Sequence, residues 1–205
     1  MRRVYVVFLC FICIADILTV GCAMRPKTLP EQKWARPCDI DCVNNISNFA
    51  KVTDKLWRGS KPEWDRPGVL EYVQKKVRTI INLQHDHDDF PKLQATNIRY
   101  LWIPMRAWKP EVGQLVIFLS ALRKALPDPN QWPVFVHCLE GRDRTGYAIA
   151  TYRIIEEKWK ADDAILEMFD FHYNWWNPFL SCNPDFLRNV EMKRNDIEAR
   201  VSRAP

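Results

Sequence analysis

Short apolar runs alternate with amphipathic segments along most of this 205-residue chain. Runs rich in β-branched and aromatic residues predict buried strands at 55–59, 79–83, 98–103 and 133–137. Apolar residues at helical spacing predict helices over 67–76, 111–125, 145–157 and 161–169, and a last helix from residue 183. This alternation predicts an α/β fold with three layers, α/β/α, around a mostly parallel central sheet.

Two of the predicted helices have distinctive patterns. The first turns of the segment 145–157 are apolar nearly all round, which predicts a central buried helix. Asn183 and Pro184 have the character of an N-cap and a first helical residue. They begin the last helix, whose predicted inward positions are Phe186, Leu187, Val190 and Ile197.

The segment 137–146, with the sequence HCLEGRDRTG, lies between the last predicted strand and the buried helix. A strand, a tight loop and a helix N-terminus form an anion pocket, because unpaired N–H groups and the helix dipole converge there. Cys138 lies at the floor of that pocket, which favours the nucleophilic thiolate. Arg144 follows after five residues and offers a planar fork that matches two phosphate oxygens. The segment therefore predicts a phosphate-binding loop that contains a nucleophile.

The other residues of this segment have supporting roles in the hypothesis. Gly141 permits a backbone conformation that a Cβ would penalise. Thr145 is placed to donate its hydroxyl to the Cys138 sulfur when that sulfur leaves, and His137 is expected to order the loop. Backbone N–H groups that bind the phosphate oxygens are expected from Leu139, Glu140, Gly141, Arg142, Asp143 and Arg144.

These residues resemble the signature His-Cys-x5-Arg-Thr/Ser of the protein tyrosine phosphatase superfamily. The resemblance to its compact dual-specificity branch covers about residues 48–187. The ending Asp-Arg-Thr-Gly is similar to bacterial members, some of which act on phosphoinositides or inositol phosphates. The resemblance implies a dual-specificity-phosphatase-like fold and hydrolysis through a cysteinyl-phosphate intermediate on Cys138, without a metal or a cofactor.

The general acid is the part of the site that the sequence leaves open. Members of the superfamily commonly carry an aspartate on a separate mobile loop, but the corresponding segment here, 103–111, contains none. Asp143 is the first candidate, and the alternative is that it braces the loop through backbone hydrogen bonds. The further candidates are Asp86, Asp88 and Asp89, and then Glu111.

Two neighbouring segments complete the candidate site. Trp108, within 103–111, is a candidate for an aromatic pocket rim, and Arg106 and Lys109 flank it. The segment 85–89, His-Asp-His-Asp-Asp, does not have the spacing of a zinc site. A solvated loop is therefore favoured there over a metal site.

The first 22 residues have the pattern of an export signal. A basic start precedes an apolar run that is too short for a transmembrane helix, which needs about 20 apolar residues. Gly21 and Cys22 resemble the end of a bacterial lipoprotein signal, which predicts acylation of Cys22 and attachment to a membrane. The alternatives are a plain cleaved signal and an uncleaved anchor. The predicted location is thus exported, either membrane-anchored or periplasmic in a bacterium.

The chain is predicted to have one folded domain. The signal occupies 1–22, a proline-rich tether follows over 23–47, and a single phosphatase domain spans 48–200. The net charge of +5 is modest and Lys and Arg are spread along the chain, which does not indicate nucleic-acid binding. A monomer is expected. Of the seven cysteines, three are compatible with a disulfide in an oxidising compartment: Cys38, Cys42 and Cys182.

Three functional hypotheses remain open. The first is a protein tyrosine or dual-specificity phosphatase that acts on phosphorylated proteins. The second is an inositol phosphate or phosphoinositide phosphatase, which Arg142, Arg106 and Lys109 support and Glu140 opposes. The third is an exported phosphate-binding pseudophosphatase, and its support is the missing aspartate in 103–111.

Overall fold

The computed structural model describes Ala35, Pro37 and residues 46–181 and 183–204. The predicted signal with Cys22, nearly all of the tether, and the cysteines Cys38, Cys42 and Cys182 lie outside the described residues. Their predicted roles therefore stay predictions. Among the residues that are described, no helix is both long and apolar enough to cross a membrane.

A five-stranded sheet forms the middle layer. Its strands are β1 (Ala50–Lys51), β2 (Leu56–Ser60), β3 (Thr79–Asn82), β4 (Arg99–Trp102) and β5 (Val134–Cys138). Their order is β1-β2-β5-β3-β4, with β1 antiparallel to β2 and the other neighbouring pairs parallel. The prediction of a mostly parallel sheet is confirmed.

Helices cover both faces of the sheet. They are α1 (Val69–Lys76), α2 (Phe90–Leu93), α3 (Val112–Ala125), α4 (Asp143–Ile155), α5 (Ala161–Asp170), α6 (Asn183–Met192) and α7 (Arg194–Arg203). Successive strand side chains point to opposite faces. Ile80 and Phe135 pack with α1 and α2, whereas Ile81, Val134 and Val136 pack with α3 to α7. This arrangement is the predicted three-layer α/β/α order.

The structure differs from the sequence prediction in short elements and at the C-terminus. The sequence does not predict β1 or α2, because such short elements contain too few residues for a periodic pattern. The predicted last helix is wrong as a single element: α6 and α7 are separated at Lys193, which has φ −98° and ψ 19°. The central buried helix is confirmed as α4, in which every residue from Thr145 to Ile155 is buried.

The parallel strands bring several loops to one edge of the sheet. The carboxyl ends of parallel strands meet at the same edge, where open α/β sheets bind ligands. β5 ends there at Cys138, and α4 begins five residues later at Asp143. The candidate site is built on this edge.

Candidate active site

Residues 138–144, which we call the phosphate loop, connect β5 to α4. Cys138 is the last residue of β5, and its free thiol is buried, with 3% of the residue exposed. Arg142 is the N-cap of α4, so the unpaired N–H groups of the central helix face the loop. The strand, the loop and the helix N-terminus follow one another in the order that the sequence predicts.

Three consecutive carbonyl groups of the phosphate loop accept hydrogen bonds from outside it. The bonds run from Lys61 N to Leu139 O (3.1 Å), from Asn48 Nδ2 to Glu140 O (2.9 Å) and from Arg58 Nη2 to Gly141 O (2.9 Å). We call these three donor residues the carbonyl clamp. A carbonyl and the next N–H point in opposite directions across a trans peptide plane. Holding these carbonyls outward therefore turns the following N–H groups inward, where they can bind phosphate oxygens.

Gly141 is the point at which the phosphate loop approaches β2. Its φ of 71° lies in the left-handed region, which L side chains rarely adopt. A Cβ at this position would lie 2.5 Å from the backbone carbon of Gly59. The loop therefore needs glycine here both for its conformation and for close approach to the strand.

Arg58, on β2, is the fully buried member of the carbonyl clamp. Its guanidinium carbon lies 3.6 Å from the centroid of the Phe171 ring. Burial lowers the pKa of Arg58 from 12.5 to about 10, while the charges of Glu167 and of a Cys138 thiolate oppose that shift. Arg58 is therefore a cation at neutral pH, and its charge and the Cys138 thiolate stabilise each other.

Asn48 is the second side chain of the clamp, and His172 supports it. Nδ1 of His172 lies 2.9 Å from Oδ1 of Asn48, and the Asn48 amide nitrogen donates to Glu140 O. Both residues have positive φ, 53° for Asn48 and 59° for His172. This conformation costs free energy outside glycine and persists where surrounding contacts fix it. In this protein those contacts are the His172–Asn48 pair and the hydrogen bond from Asn48 to the phosphate loop.

His137 is fully buried between Cys138 and Asp89. Its Nδ1 lies 3.3 Å from Cys138 O, and its Nε2 lies 3.2 Å from Oδ2 of Asp89. Burial alone would raise the pKa of Asp89, but the hydrogen bond and charge of His137, helped by Trp64 and Lys61, hold that pKa below its usual value. The ionised Asp89 carboxylate orients the His137 ring, which fits the loop-ordering role expected of His137.

Arg144 and Thr145 lie in the first turn of α4. Nε of Arg144 is buried and makes no hydrogen bond within the described structure, so this part of its fork is available to an anion. Oγ1 of Thr145 is also buried, and it has no partner among the described residues. The expected bond from Thr145 to the Cys138 sulfur is thus not formed in this conformation, and its chemical role stays a prediction.

Asp143 joins the phosphate loop to the segment that follows α5. Its Oδ1 accepts a hydrogen bond from Asn174 N (3.1 Å), and its Oδ2 accepts one from Asn174 Nδ2 (2.9 Å). Both oxygens therefore hold that segment against the loop, which is the geometry of a brace. The role of Asp143 as the general acid stays a prediction.

The acidic side chains of segment 85–89 have different environments. Asp86 is exposed and pairs with His85. Oδ1 of Asp88 accepts a hydrogen bond from Tyr100 Oη (2.7 Å), and Asp89 is buried behind the phosphate loop. Within the described ranges, no group of three or more His, Cys, Asp or Glu side chains is arranged to hold a metal ion.

The segment 103–111 borders the site and exposes Trp108, of which 58% is accessible to solvent. The carbonyl of Ala107 accepts a hydrogen bond from Asn183 Nδ2 (2.9 Å), so α6 fixes this segment. Glu111 is the last of the candidate acids, and its Oε1 lies 3.6 Å from Nζ of Lys109. Trp108 is therefore available as the aromatic rim that the sequence suggests.

Sequence reasoning missed the outer ring of the site, which consists of the carbonyl clamp and the pairing of Asp89 with His137. One signal could have found Arg58: an arginine within a buried strand must have a polar partner. No local signal marks Asn48, because its bond to Glu140 joins positions 92 residues apart.

A cysteine beneath a ring of inward N–H groups, on a three-layer α/β/α fold, defines the class of cysteine-dependent phosphatases. The sequence profile of the tyrosine phosphatase family matches residues 43–180. The chain therefore belongs to the tyrosine phosphatase family, as the resemblance of segment 137–146 implies.

The chain is similar to two phosphatases with different named activities. The dual specificity protein phosphatase TpbA of Pseudomonas aeruginosa is 29% identical over 132 residues, which are 64% of this chain and 58% of that protein. The inositol diphosphatase DSP5 of Arabidopsis thaliana is 30% identical over 114 residues, which are 53% of this chain and 54% of that protein. The chain thus spans less than two thirds of the length of these relatives.

Solved structures share the fold. The crystal structure of P. aeruginosa TpbA in complex with pTyr has a TM-score of 0.60 and 24% identity, and the match covers 80% of this chain and 99% of that chain. The core catalytic domain of the PP-IP phosphatase SIW14 from S. cerevisiae has a TM-score of 0.57 and 20% identity, over 78% of this chain and 97% of that chain. The prediction of a dual-specificity-phosphatase-like fold is confirmed.

Replacing Arg58 tests the carbonyl clamp. In Arg58→Met the Gly141 carbonyl loses its donor, and the Cys138 thiolate loses a nearby cation. We expect kcat/KM for an aryl phosphate to fall by about 100-fold, because a slightly misplaced N–H ring stabilises the transition state poorly. Alkylation of Cys138 by iodoacetate at mildly acidic pH should slow in parallel.

Arg58→Lys is the matched control for charge. It keeps the cation but loses the rigid fork, so it should recover the alkylation rate more fully than kcat/KM. Thermal unfolding identifies a variant that has lost its fold. Wild-type kinetics in a folded Arg58→Met protein would show that the clamp does not set the geometry of the loop.

Proposed function

We propose that this protein is a phosphoric monoester hydrolase that forms a cysteinyl-phosphate intermediate, with phosphotyrosine and other phosphorylated side chains of proteins as its substrates. The observation that carries the proposal is the succession of the buried Cys138 thiol at the end of β5, the clamped loop, and the N-terminus of α4 with Arg144 in its first turn. A phosphate dianion bound there would meet hydrogen-bond donors on its oxygens and a nucleophile at its phosphorus. The name of the relative TpbA, a dual specificity protein phosphatase, supports this substrate class.

In the first chemical step the Cys138 thiolate attacks phosphorus. The S–P bond forms while the bond from phosphorus to the ester oxygen breaks, and a general acid gives that oxygen its proton. The loop N–H groups and the Arg144 fork stabilise the three equatorial oxygens as charge redistributes. The dephosphorylated alcohol or phenol then leaves.

In the second step a water molecule attacks the phosphorus of the intermediate. The S–P bond breaks, the proton of the water passes to the acid that gave one up, and inorganic phosphate is released. Cys138 returns to the thiolate. The expected role of Thr145 belongs here, because a hydroxyl turned toward the sulfur would stabilise it as a leaving group.

Asp143→Asn tests the assignment of the general acid. If Asp143 gives the proton, turnover of poor leaving groups such as phosphoserine should fall by about 100-fold or more. Turnover of an activated aryl phosphate should fall much less, since a phenolate can leave without a proton. The measurement is kcat for both substrates in the wild type and the variant.

Asn174→Ala is the control for the bracing role. It removes the side-chain hydrogen bond from Nδ2 to Asp143, keeps the one from the backbone N–H, and leaves the carboxyl in place, so any loss should be similar for both substrates. Equal losses on both substrates in Asp143→Asn would assign Asp143 to the brace and not to proton transfer.

Inositol phosphates are the second candidate substrate class. A cleft of about 600 Å³ beside Leu139 is lined by Lys61 and His87, whose Nζ and Nε2 lie 2.7 Å apart. These groups could bind a second phosphate next to the one in the loop. The cleft also contains Glu63 and Asp65, which oppose a highly charged ligand. The name of the relative DSP5, an inositol diphosphatase, supports this alternative.

A substrate panel tests the proposal. Phosphate release would be measured under reducing conditions from a phosphotyrosine peptide, a phosphoserine peptide, an inositol polyphosphate and a phosphoinositide, with Cys138→Ser as the blank. We expect release from the phosphotyrosine peptide that disappears in the blank. Preference for the inositol compounds would select the alternative class, and no release by a folded protein with reduced Cys138 would favour a phosphate-binding pseudophosphatase.

We also propose that the protein is exported and acts at a bacterial membrane or in the periplasm as a monomer. The support is the signal-like pattern of residues 1–22 and the Gly21-Cys22 pair, which would attach the chain through lipid on Cys22. Mass spectrometry of the protein from membranes would detect a diacylglyceryl group on Cys22. An unmodified N-terminus that still begins at Met1 would contradict the lipoprotein assignment.

A further inference from the structure

Exposed apolar side chains concentrate around the phosphate loop. Of nine large hydrophobic residues that are exposed in the described part of the chain, three lie on helices: Phe90 at the start of α2, which follows β3, Ile117 on α3 and Met192 on α6. The other six are Trp102 at the end of β4 and, in the segments that follow β4, β5 and α5, Trp108, Leu139, Trp175, Trp176 and Phe179. Solvent-exposed aromatic side chains therefore belong to the active-site side of the molecule.

Residues 174–181, which we call the aromatic loop, are fixed at both ends to the candidate site. Asn174 Nδ2 donates to Asp143 at 2.9 Å, and Asn183 Nδ2 donates to Ala107 O at 2.9 Å. The aromatic loop thus runs from the start of α4 to the segment that carries Trp108. Its exposed residues are Trp175 (53%), Trp176 (71%) and Phe179 (76%).

The apolar surface of the aromatic loop is extensive. Together with Trp108, the aromatic loop contributes four aromatic side chains that each expose more than half of their surface. They present on the order of 500 Å² of apolar area, which is comparable to the largest patch on a typical monomer, and patches of this size often serve in binding.

The chemistry of this surface fits the boundary of a lipid bilayer. Tryptophan is enriched at that boundary because its ring is apolar and its N–H is polar. The aromatic loop contains no acidic residue, and Arg106 is exposed on one side of Trp108, while the exposed Lys109 on the other side pairs with Glu111. A cation such as Arg106 is attracted to anionic headgroups.

The N-terminal segment joins the domain beside the aromatic loop. Ala35 N donates a hydrogen bond to Oε1 of Glu167 at 2.8 Å, and Ala35 packs against the buried ring of Phe171. The stretch from Cys22 to Ala35, if extended, spans at most about 45 Å. A chain attached to a membrane through its N-terminus would therefore keep the aromatic loop within reach of the same membrane.

We propose that the aromatic loop and Trp108 form a membrane-docking surface, which inserts shallowly into the interface of an anionic bilayer and turns the phosphate loop toward it. This inference goes beyond the proposed phosphatase activity and does not require turnover. It implies that phosphorylated groups at the membrane surface, on lipids or on proteins, are presented to Cys138.

Vesicle binding by the full chain tests this surface. The double variant Trp176→Ser/Phe179→Ser would be compared with Met192→Ser, since Met192 is 75% exposed and Phe179 is 76% exposed. Met192 lies at the far end of α6 from Asn183, about 14 Å along the helix axis. With mixed phosphatidylcholine and phosphatidylglycerol vesicles, we expect the double variant to bind about tenfold more weakly, and Met192→Ser to bind like the wild type.

A second measurement separates this surface from any binding by the N-terminal segment. Vesicles that contain brominated lipid should quench part of the tryptophan fluorescence of the wild type, and that part should shrink in Trp176→Ser. Equal quenching in both proteins, or equal weakening by Met192→Ser, would overturn the proposal. Absence of quenching in the wild type would also overturn it and would favour a protein partner for the aromatic loop.

The catalytic and docking proposals fail separately. Cys138→Ser should bind vesicles like the wild type, and the double variant should hydrolyse a small soluble aryl phosphate at the wild-type rate. A chain that binds vesicles but releases no phosphate would refute the catalytic proposal alone. A chain that hydrolyses the soluble substrate but does not bind vesicles would refute the docking proposal alone.

Discussion

Replacing Cys138 with serine should abolish phosphate release and preserve phosphate binding. A serine hydroxyl is far less nucleophilic than a thiolate, and nothing else in the loop can form the covalent intermediate in its place. We expect kcat to fall by at least about 10⁴-fold. Binding should persist because the N–H groups, the clamp and Arg144 remain. Loss of the thiolate charge also removes its repulsion of a phosphate dianion.

Two measurements on Cys138→Ser distinguish chemistry from folding. Phosphate release by the variant would be followed with an aryl phosphate, and calorimetry would follow its binding of a phosphotyrosine peptide. A variant that binds the peptide but does not turn over confirms the nucleophile. Turnover within about tenfold of the wild type would refute the cysteinyl-phosphate mechanism.

Arg144→Lys should lower kcat/KM by about 10²- to 10³-fold even though the positive charge is retained. A guanidinium fork can donate to two phosphate oxygens at once, whereas an ammonium group is a single compact charge. The second donor matters most in the transition state, where the equatorial oxygens carry more developing charge. The loss should therefore fall mainly on kcat, and phosphate inhibition constants should change less.

Arg188→Lys is the matched control for this substitution. Arg188 is on α6 and pairs with Asp162 and Asp185 on the surface, away from the phosphate loop. The same change of side chain there should leave turnover unaltered. If Arg144→Lys is also close to the wild type, bidentate recognition by Arg144 is not part of the mechanism.

The phosphate loop could be predicted from sequence because its information is local. Cys138, Gly141 and Arg144 lie within one turn between a strand and a helix, so residue type and spacing define the site. The buried helix α4 was equally visible, because the first turns of segment 145–157 are apolar nearly all round. The resemblance to the tyrosine phosphatase family rests on the same loop residues.

The supports of the loop could not be predicted, because they depend on tertiary contacts. Arg58 bonds to a carbonyl 83 residues away, and Asn48 bonds to one 92 residues away. Asp89 could be proposed as an acid from its position after β3, but only the fold places it behind His137. The break between α6 and α7 could not be predicted either, because the apolar spacing of the sequence continues across Lys193.

Gly146 is the last residue of the signature segment, and helix packing explains why this position is glycine. A Cβ at this position would lie 2.8 Å from Cγ of Met168 on α5, which is itself buried. The last position of the motif is therefore constrained by the distance between two helices and not by phosphate chemistry. Across related proteins, the residues at positions 146 and 168 should covary, with alanine at the first paired with a smaller side chain at the second. Evolution could thus change the final glycine of the signature without altering catalysis, provided that the facing residue on α5 changes with it.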